Sequence, residues 1–102
     1  MSINKIKRTQ LINFFQNNKD KWIHKEIISH LIKEQNNIIR SWISILKQKG
    51  YTIISKKKLG YKLSTDPNEI INFANNEIKK NKILIKSYYS WLRSVDNMKV
   101  GK

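Results

Sequence analysis

Residues 23–64 read IHKEIISHLIKEQNNIIRSWISILKQKGYTIISKKKLGYKLS, and the order of patterns inside this stretch decides the fold. Residues 24–32 carry apolar side chains at helical spacing, with Ile27, Ile28, Leu31 and Ile32 forming two rows that pack inward. Lys33-Glu34-Gln35 breaks the period. A second helix over 36–49 collects Ile39, Trp42, Ile43 and Leu46 on one side and Asn36, Asn37, Arg40, Ser41, Ser44, Lys47 and Gln48 on the other. Gly50 stops it, because glycine tolerates the positive φ of a helix C-terminus. Residues 51–55 are aromatic and β-branched and predict a strand. Lys56-Lys57-Lys58-Leu59-Gly60 then forms a loop, and residues 61–64 alternate as the returning strand.

Helix, turn, helix and basic-tipped hairpin is the order of a winged helix-turn-helix domain, in which the second helix enters a DNA major groove and the hairpin touches the backbone beside it. Working outward on the N-terminal side, Ser2 is placed to cap a helix over 4–16. Ile6, Leu11, Ile12, Phe14 and Phe15 would face its core, with Lys5, Lys7 and Arg8 outside. Asn17-Asn18-Lys19-Asp20 ends it. Trp22-Ile23 is a short apolar stub, of the kind that pairs with the hairpin sheet in such domains.

On the C-terminal side, Asp66 as cap, Pro67 at the first helical position and Glu69 two residues on are start signals for another helix. Ile71, Ala74, Ile78, Ile85, Tyr88, Leu92 and Val95 recur at helical spacing beyond it. One long helix or two jointed near Asn81 would both fit, and the aperiodic Ile83-Leu84-Ile85 favours the joint. Residues 97–102 read as a frayed tail. The predicted fold class is therefore mainly α with a small β wing: a winged helix-turn-helix domain over 1–65, then one or two helices over 66–102 as a possible dimerisation element.

A chain of 102 residues fits one domain with a modest core. Without cysteine it holds no disulfide or thiolate metal site. No signal peptide is evident, and no apolar run approaches the roughly 20 residues that span a bilayer. The expected location is cytoplasmic, with the nucleoid.

The formal charge is +14, from 21 Lys+Arg against 7 Asp+Glu, the balance of a polyanion-binding surface. An Ile-, Asn- and Lys-rich chain reflects AT-rich coding, which inflates lysine without suppressing glutamate. Only four glutamates are present, so the excess survives that discount. Residues 1–65 hold 14 basic and 3 acidic side chains, for +11, whereas residues 66–102 hold 7 and 4, for +3. The charge sits with the DNA-binding pattern.

The stretch 22–63 resembles the winged helix-turn-helix domain at the N-terminus of biotin protein ligases that double as biotin operon repressors. The resemblance rests on Ile39, Ile43 and Leu46, on the Gly50 stop, and on the ending Gly60-Tyr61-Lys62-Leu63. It implies a DNA-binding module. Two positions depart from the family: Glu34 stands where an apolar residue is usual, and Gln35 where a small capping serine is common. Nothing after Ser64 resembles the biotin- and nucleotide-binding loop, so ligase activity is not implied.

Asparagine bonds bidentately to adenine and arginine to guanine, so Asn36, Asn37 and Arg40 suit base reading. Ser41 and Ser44 are small enough to seat the helix deeply, and Lys47 lies on the same predicted face. Lys56, Lys57 and Lys58 are point charges for phosphates. His24 and His30 read as surface or cap residues rather than metal ligands, and Trp22 and Trp42 as core anchors. The aromatic cluster Tyr88, Tyr89 and Trp91, with Ile85 and Leu92, either packs back on the domain or forms a homodimer seam. No acid pair, activated serine or phosphate-binding glycine loop is present, so neither an enzyme nor a cofactor is expected. The leading expectation is a dimeric, sequence-specific double-stranded DNA-binding repressor. The alternatives are a phage or mobile-element adaptor acting on a protein or RNA partner, and a replication or partition initiator.

Overall fold

The computed structural model describes residues 3–80 and 84–100, with the side chains of Ile3 and of residues 97–100 left undescribed. It is mainly helical: α1 (Ile3–Asn17), α2 (Lys25–Ile32), α3 (Asn36–Gln48), β1 (Ile53–Lys56), β2 (Gly60–Leu63), α4 (Pro67–Lys80) and α5 (Ile85–Val100). The strands pair antiparallel, with Ile53 opposite Leu63 and Lys56 opposite Gly60. Two helices therefore fill the C-terminal region. Their expected joint near Asn81 lies outside the described residues, as do the Ser2 cap and residues 101–102, whereas residues 97–100, expected as frayed tail, continue α5.

Side chains alternate across a strand, and here each face of the hairpin is used by a different core. Ile53 and Leu63 pack with Leu11, Phe15, Ile28, Ile32, Ile39, Trp42, Ile43 and Leu46 of α1–α3. Ile54, one residue on, faces the opposite way onto Ile70, Ala74, Tyr88, Trp91 and Val95 of α4 and α5. The ribbon is thus a partition between two clusters. Trp22 packs against the second of them, so it anchors the α4–α5 side rather than the α1–α3 core.

The stub before α2 joins the sheet as expected. Ile23 exchanges both backbone hydrogen bonds with Tyr61, at 2.8 and 2.9 Å. That pairing leaves no room beside Gly60, where an added Cβ would stand 2.1 Å from the Ile23 carbonyl oxygen at a φ of +97°. Leu59 N–H donates to the Lys56 carbonyl across the tip, and Gly60 in the left-handed region closes a three-residue hairpin loop.

α3 ends as its sequence predicts. Tyr51 N–H donates to the Leu46 carbonyl and Gly50 N–H to that of Lys47, both at 3.1 Å, with Gly50 at φ +102°: the paired bonds of a Schellman cap. Three expected core residues are instead exposed: Ile6 on α1 and Ile27 and Leu31 on α2. An eight-residue helix offers one narrow stripe to its neighbours, and Ile28 and Ile32 already fill it. The strands also begin and end differently from the β-run 51–55 and its return 61–64: Tyr51 and Thr52 fall outside the ladder, and Lys56 and Gly60 within it.

Candidate nucleic-acid interface

The exposed edge of α3 is set by the burial of Ile39, Trp42, Ile43 and Leu46 on its other side. Asn36, Asn37, Arg40 and Ser41 lie on that edge in solvent, and Ser44 is half-buried. Ser41 Oγ donates to the Asn37 carbonyl one turn back, at 3.2 Å. Among the described residues, nothing engages the side chains of Asn36, Asn37 or Arg40 in a hydrogen bond or ion pair.

Between this edge and the hairpin lies a recess of about 310 Å³ lined by Lys25, Arg40, Ser55, Lys56, Lys57, Gly60 and Tyr61. Four cations and no acid line it. Lys57 and Lys58 stand at the hairpin tip, both exposed. Lys56 is also exposed, but its ammonium lies back over the Trp22 ring, 5.8 Å from the centroid. Lys62 takes the same ring at 4.6 Å. Of the three tip lysines, Lys57 and Lys58 are thus the ones unencumbered by an aromatic partner.

Lys25 and Tyr61 belong to this recess and escaped the sequence reading. For Lys25 a signal existed: a cation in the first turn of α2 opposes the helix dipole, so its place is not accounted for by helix stability. Tyr61 shares a strand face with Leu63 and reads from sequence as core, yet it sits where that face opens toward Arg40.

Lys47 is a correction. The period of α3 places it with Arg40 and Ser44, but it is only 9% exposed, because α5 crosses the C-terminal end of α3. Trp91 Nε1 donates to the Lys47 carbonyl at 3.1 Å, and the Lys47 ammonium lies 5.3 Å from the Phe73 centroid and 5.9 Å from that of Tyr88. The helical wheel of α3 alone gives no hint of a later element covering one quadrant.

The same packing corrects the proposed dimer seam. Tyr88 and Trp91 are each 1% exposed, their rings edge-to-face at 5.1 Å, with Phe73 stacked on Trp91 at 6.3 Å. Ile85 and Leu92 are half-buried, and Tyr89 alone of the five is open to solvent. The aromatic cluster packs back on its own chain.

Burial pushes the Lys47 ammonium down, while the charge of Glu77 works against that shift. The Tyr88 phenol is raised to about 12, by burial first and then by Glu77, and so stays protonated at neutral pH. His24 caps α2 through Nδ1, which accepts from Glu26 N–H at 3.3 Å. Among the described residues no group of His, Cys, Asp and Glu could hold a metal ion, and no helix is long and apolar enough to cross a membrane. Comparison with known proteins returned no matching family model, curated protein or solved structure.

Proposed function

We propose that this chain is a sequence-specific double-stranded DNA-binding protein of winged helix-turn-helix type, acting as a small transcriptional repressor. One observation carries the reading: the uncommitted amide-and-guanidinium edge of α3 stands beside a recess whose four charged residues are all cationic. α3 supplies Asn36, Asn37 and Arg40 from its N-terminal half, the end from which a recognition helix reads base edges. Lys25 and Lys57 share the recess with Arg40, and Lys58 is exposed at the hairpin tip; on this reading they neutralise phosphates beside the bases that α3 reads. α5 covers the C-terminal end of α3 and leaves this half open.

The dimer that such proteins often need does not run through Tyr88 and Trp91, which are spent inside the chain. Two copies on a pair of half-sites would meet through other surfaces or through the DNA alone. Sedimentation of the protein with duplexes carrying one and two half-sites distinguishes these stoichiometries.

Selection of bound duplexes from random DNA, followed by titration at two salt concentrations, tests the reading. Affinity should fall steeply with salt, with a logarithmic slope of about −0.9 for each phosphate contact. Arg40→Ala should flatten discrimination among sites, by roughly 1–3 kcal/mol at the base it reads. Lys57→Ala should weaken all duplexes alike and make the salt slope shallower by about one contact. A chain that binds every duplex equally, before and after both substitutions, does not dock this way.

A further inference from the structure

Lys47 poses a question that DNA binding does not answer. An ammonium is costly to bury without an anionic or well-bonded partner. Its three donors find one acceptor, the Tyr88 hydroxyl oxygen at 3.5 Å, the outer limit of a hydrogen bond. Lys7–Glu34 and Lys62–Glu69 are ion pairs among the described residues. Lys47 is in neither.

The same ammonium lines a crevice of about 320 Å³ between α3, the hairpin and the α4–α5 pair. Arg40 stands in its wall from α3, Glu77 and Leu84 from the C-terminal region, and Ile43 beside Tyr88 makes an apolar flank. Two cations and one acid leave the lining with one net positive charge. The volume lies within the range of small-molecule sites, which combine apolar walls with a few convergent polar groups.

We propose that this crevice binds a small organic monoanion, with its carboxylate seated on Lys47 and Arg40 and its apolar body against Ile43, Leu84 and the Tyr88 ring. The single net charge selects a monoanion: Glu77 repels the second charge of a phosphate. Tyr88, protonated at neutral pH, donates the remaining hydrogen bond. Arg40 lines both this crevice and the recess beside the hairpin tip. On the DNA-binding reading above, on which this consequence rests, a bound carboxylate therefore competes with DNA for Arg40 and weakens operator binding.

The test uses the full chain without DNA. Backbone amide NMR spectra are recorded during titration with phenylacetate, alongside inorganic phosphate as a charge-only control and 2-phenylethanol as a shape-only control. Phenylacetate should give saturable shifts at Ser44, Lys47 and Leu84 below about 10 mM, with both controls at least about tenfold weaker. Lys47→Met should reduce phenylacetate binding about tenfold or more while the thermal midpoint holds or rises, because a poorly paired buried cation is removed. Glu77→Gln leaves Lys47 in place and should strengthen phosphate binding, which keeps the test decisive if the Lys47 variant does not fold.

Absence of saturable shifts at the crevice with phenylacetate and with branched aliphatic monocarboxylates would overturn the proposal. So would a Lys47→Met chain that folds and binds as the parent does, or a Glu77→Gln chain with unchanged phosphate affinity. Duplex binding with and without phenylacetate is measured separately. A chain that binds no duplex overturns the DNA reading and leaves the crevice result standing.

Discussion

Lys33 is a lysine in a conformation that suits glycine. It closes α2 at φ +60°, with its N–H and that of Glu34 both donated to the Ser29 carbonyl. Lys33→Gly should stabilise the fold by about 0.5–1 kcal/mol, because glycine adopts left-handed φ without the Cβ penalty, read as a rise in the urea midpoint. Gln35 caps α3 by backbone position only, with no side-chain hydrogen bond. Gln35→Ser should therefore add about 0.5–1 kcal/mol in the same assay. Gly60→Ala goes the other way, losing about 2 kcal/mol or more, since the new Cβ would meet the Ile23 carbonyl. The polar character of this turn was visible in the sequence, but the partner of Glu34 was not. Lys7 of α1 reaches the Glu34 carboxylate at 3.0 Å and also donates to the Lys33 carbonyl. That is a contact across 27 positions, invisible to local pattern.

At the scale of elements, the decisive joint is between the hairpin and α4. The helix start at Asp66-Pro67 was legible, and Asp66 Oδ1 accepts from Asn68 N–H as a cap should. Glu69 does not fold back on the cap. It reaches the returning strand instead, accepting from Lys62 Nζ and Ser64 Oγ, each at 2.6 Å. Beside it, Asp20 accepts both the backbone N–H and the hydroxyl of Thr65. Burial alone would raise the Glu69 carboxyl, but the hydrogen bonds from Lys62 and Ser64, with the Lys62 charge, outweigh it and hold it below its usual 4.5. The hydroxyl and backbone bonds of Thr65 likewise lower Asp20.

A carboxylate depressed in the folded state gives stability that is complete above its unfolded pKa and lost as pH falls through the folded one. Stability should thus stay level from neutral pH down to about 4.5 and then decline through the folded values. Glu69→Gln should cost roughly 1–2 kcal/mol at neutral pH and flatten that acid limb, as read by urea unfolding across pH. Why α1 exposes Ile6 while α3 buries Lys47 was beyond the sequence for one reason. Periodicity says which side of a helix is apolar, and only the assembled neighbours say how wide a strip they cover.

For the molecule as a whole, the division at residue 65 is one of charge more than of structure. The net charge is +11 over residues 1–65 and +3 over residues 66–102. The cores do not part there: Ile54 and Trp22 belong to the cluster of α4 and α5. A chain cut after Thr65 would present Ile54, Trp22 and Lys47 to water, and its circular dichroism melt should lose cooperativity rather than report a smaller stable domain. Helix content, hairpin and the main apolar faces were all legible from sequence. The covering of α3 by α5 was not, because an aromatic cluster at helical spacing is equally suited to an inward or an outward partner.

Packing on both sides of the β-ribbon also bears on how a ligand must approach. With α1–α3 against one face and α4–α5 against the other, the lysines at its end are carried on a prong whose base is packed on both sides. On the proposed DNA-binding reading, a double helix meeting that prong would supply part of the adjustment itself, by bending or by changing groove width. Sequence-dependent stiffness of the DNA would then enter into site choice, at base pairs no side chain touches.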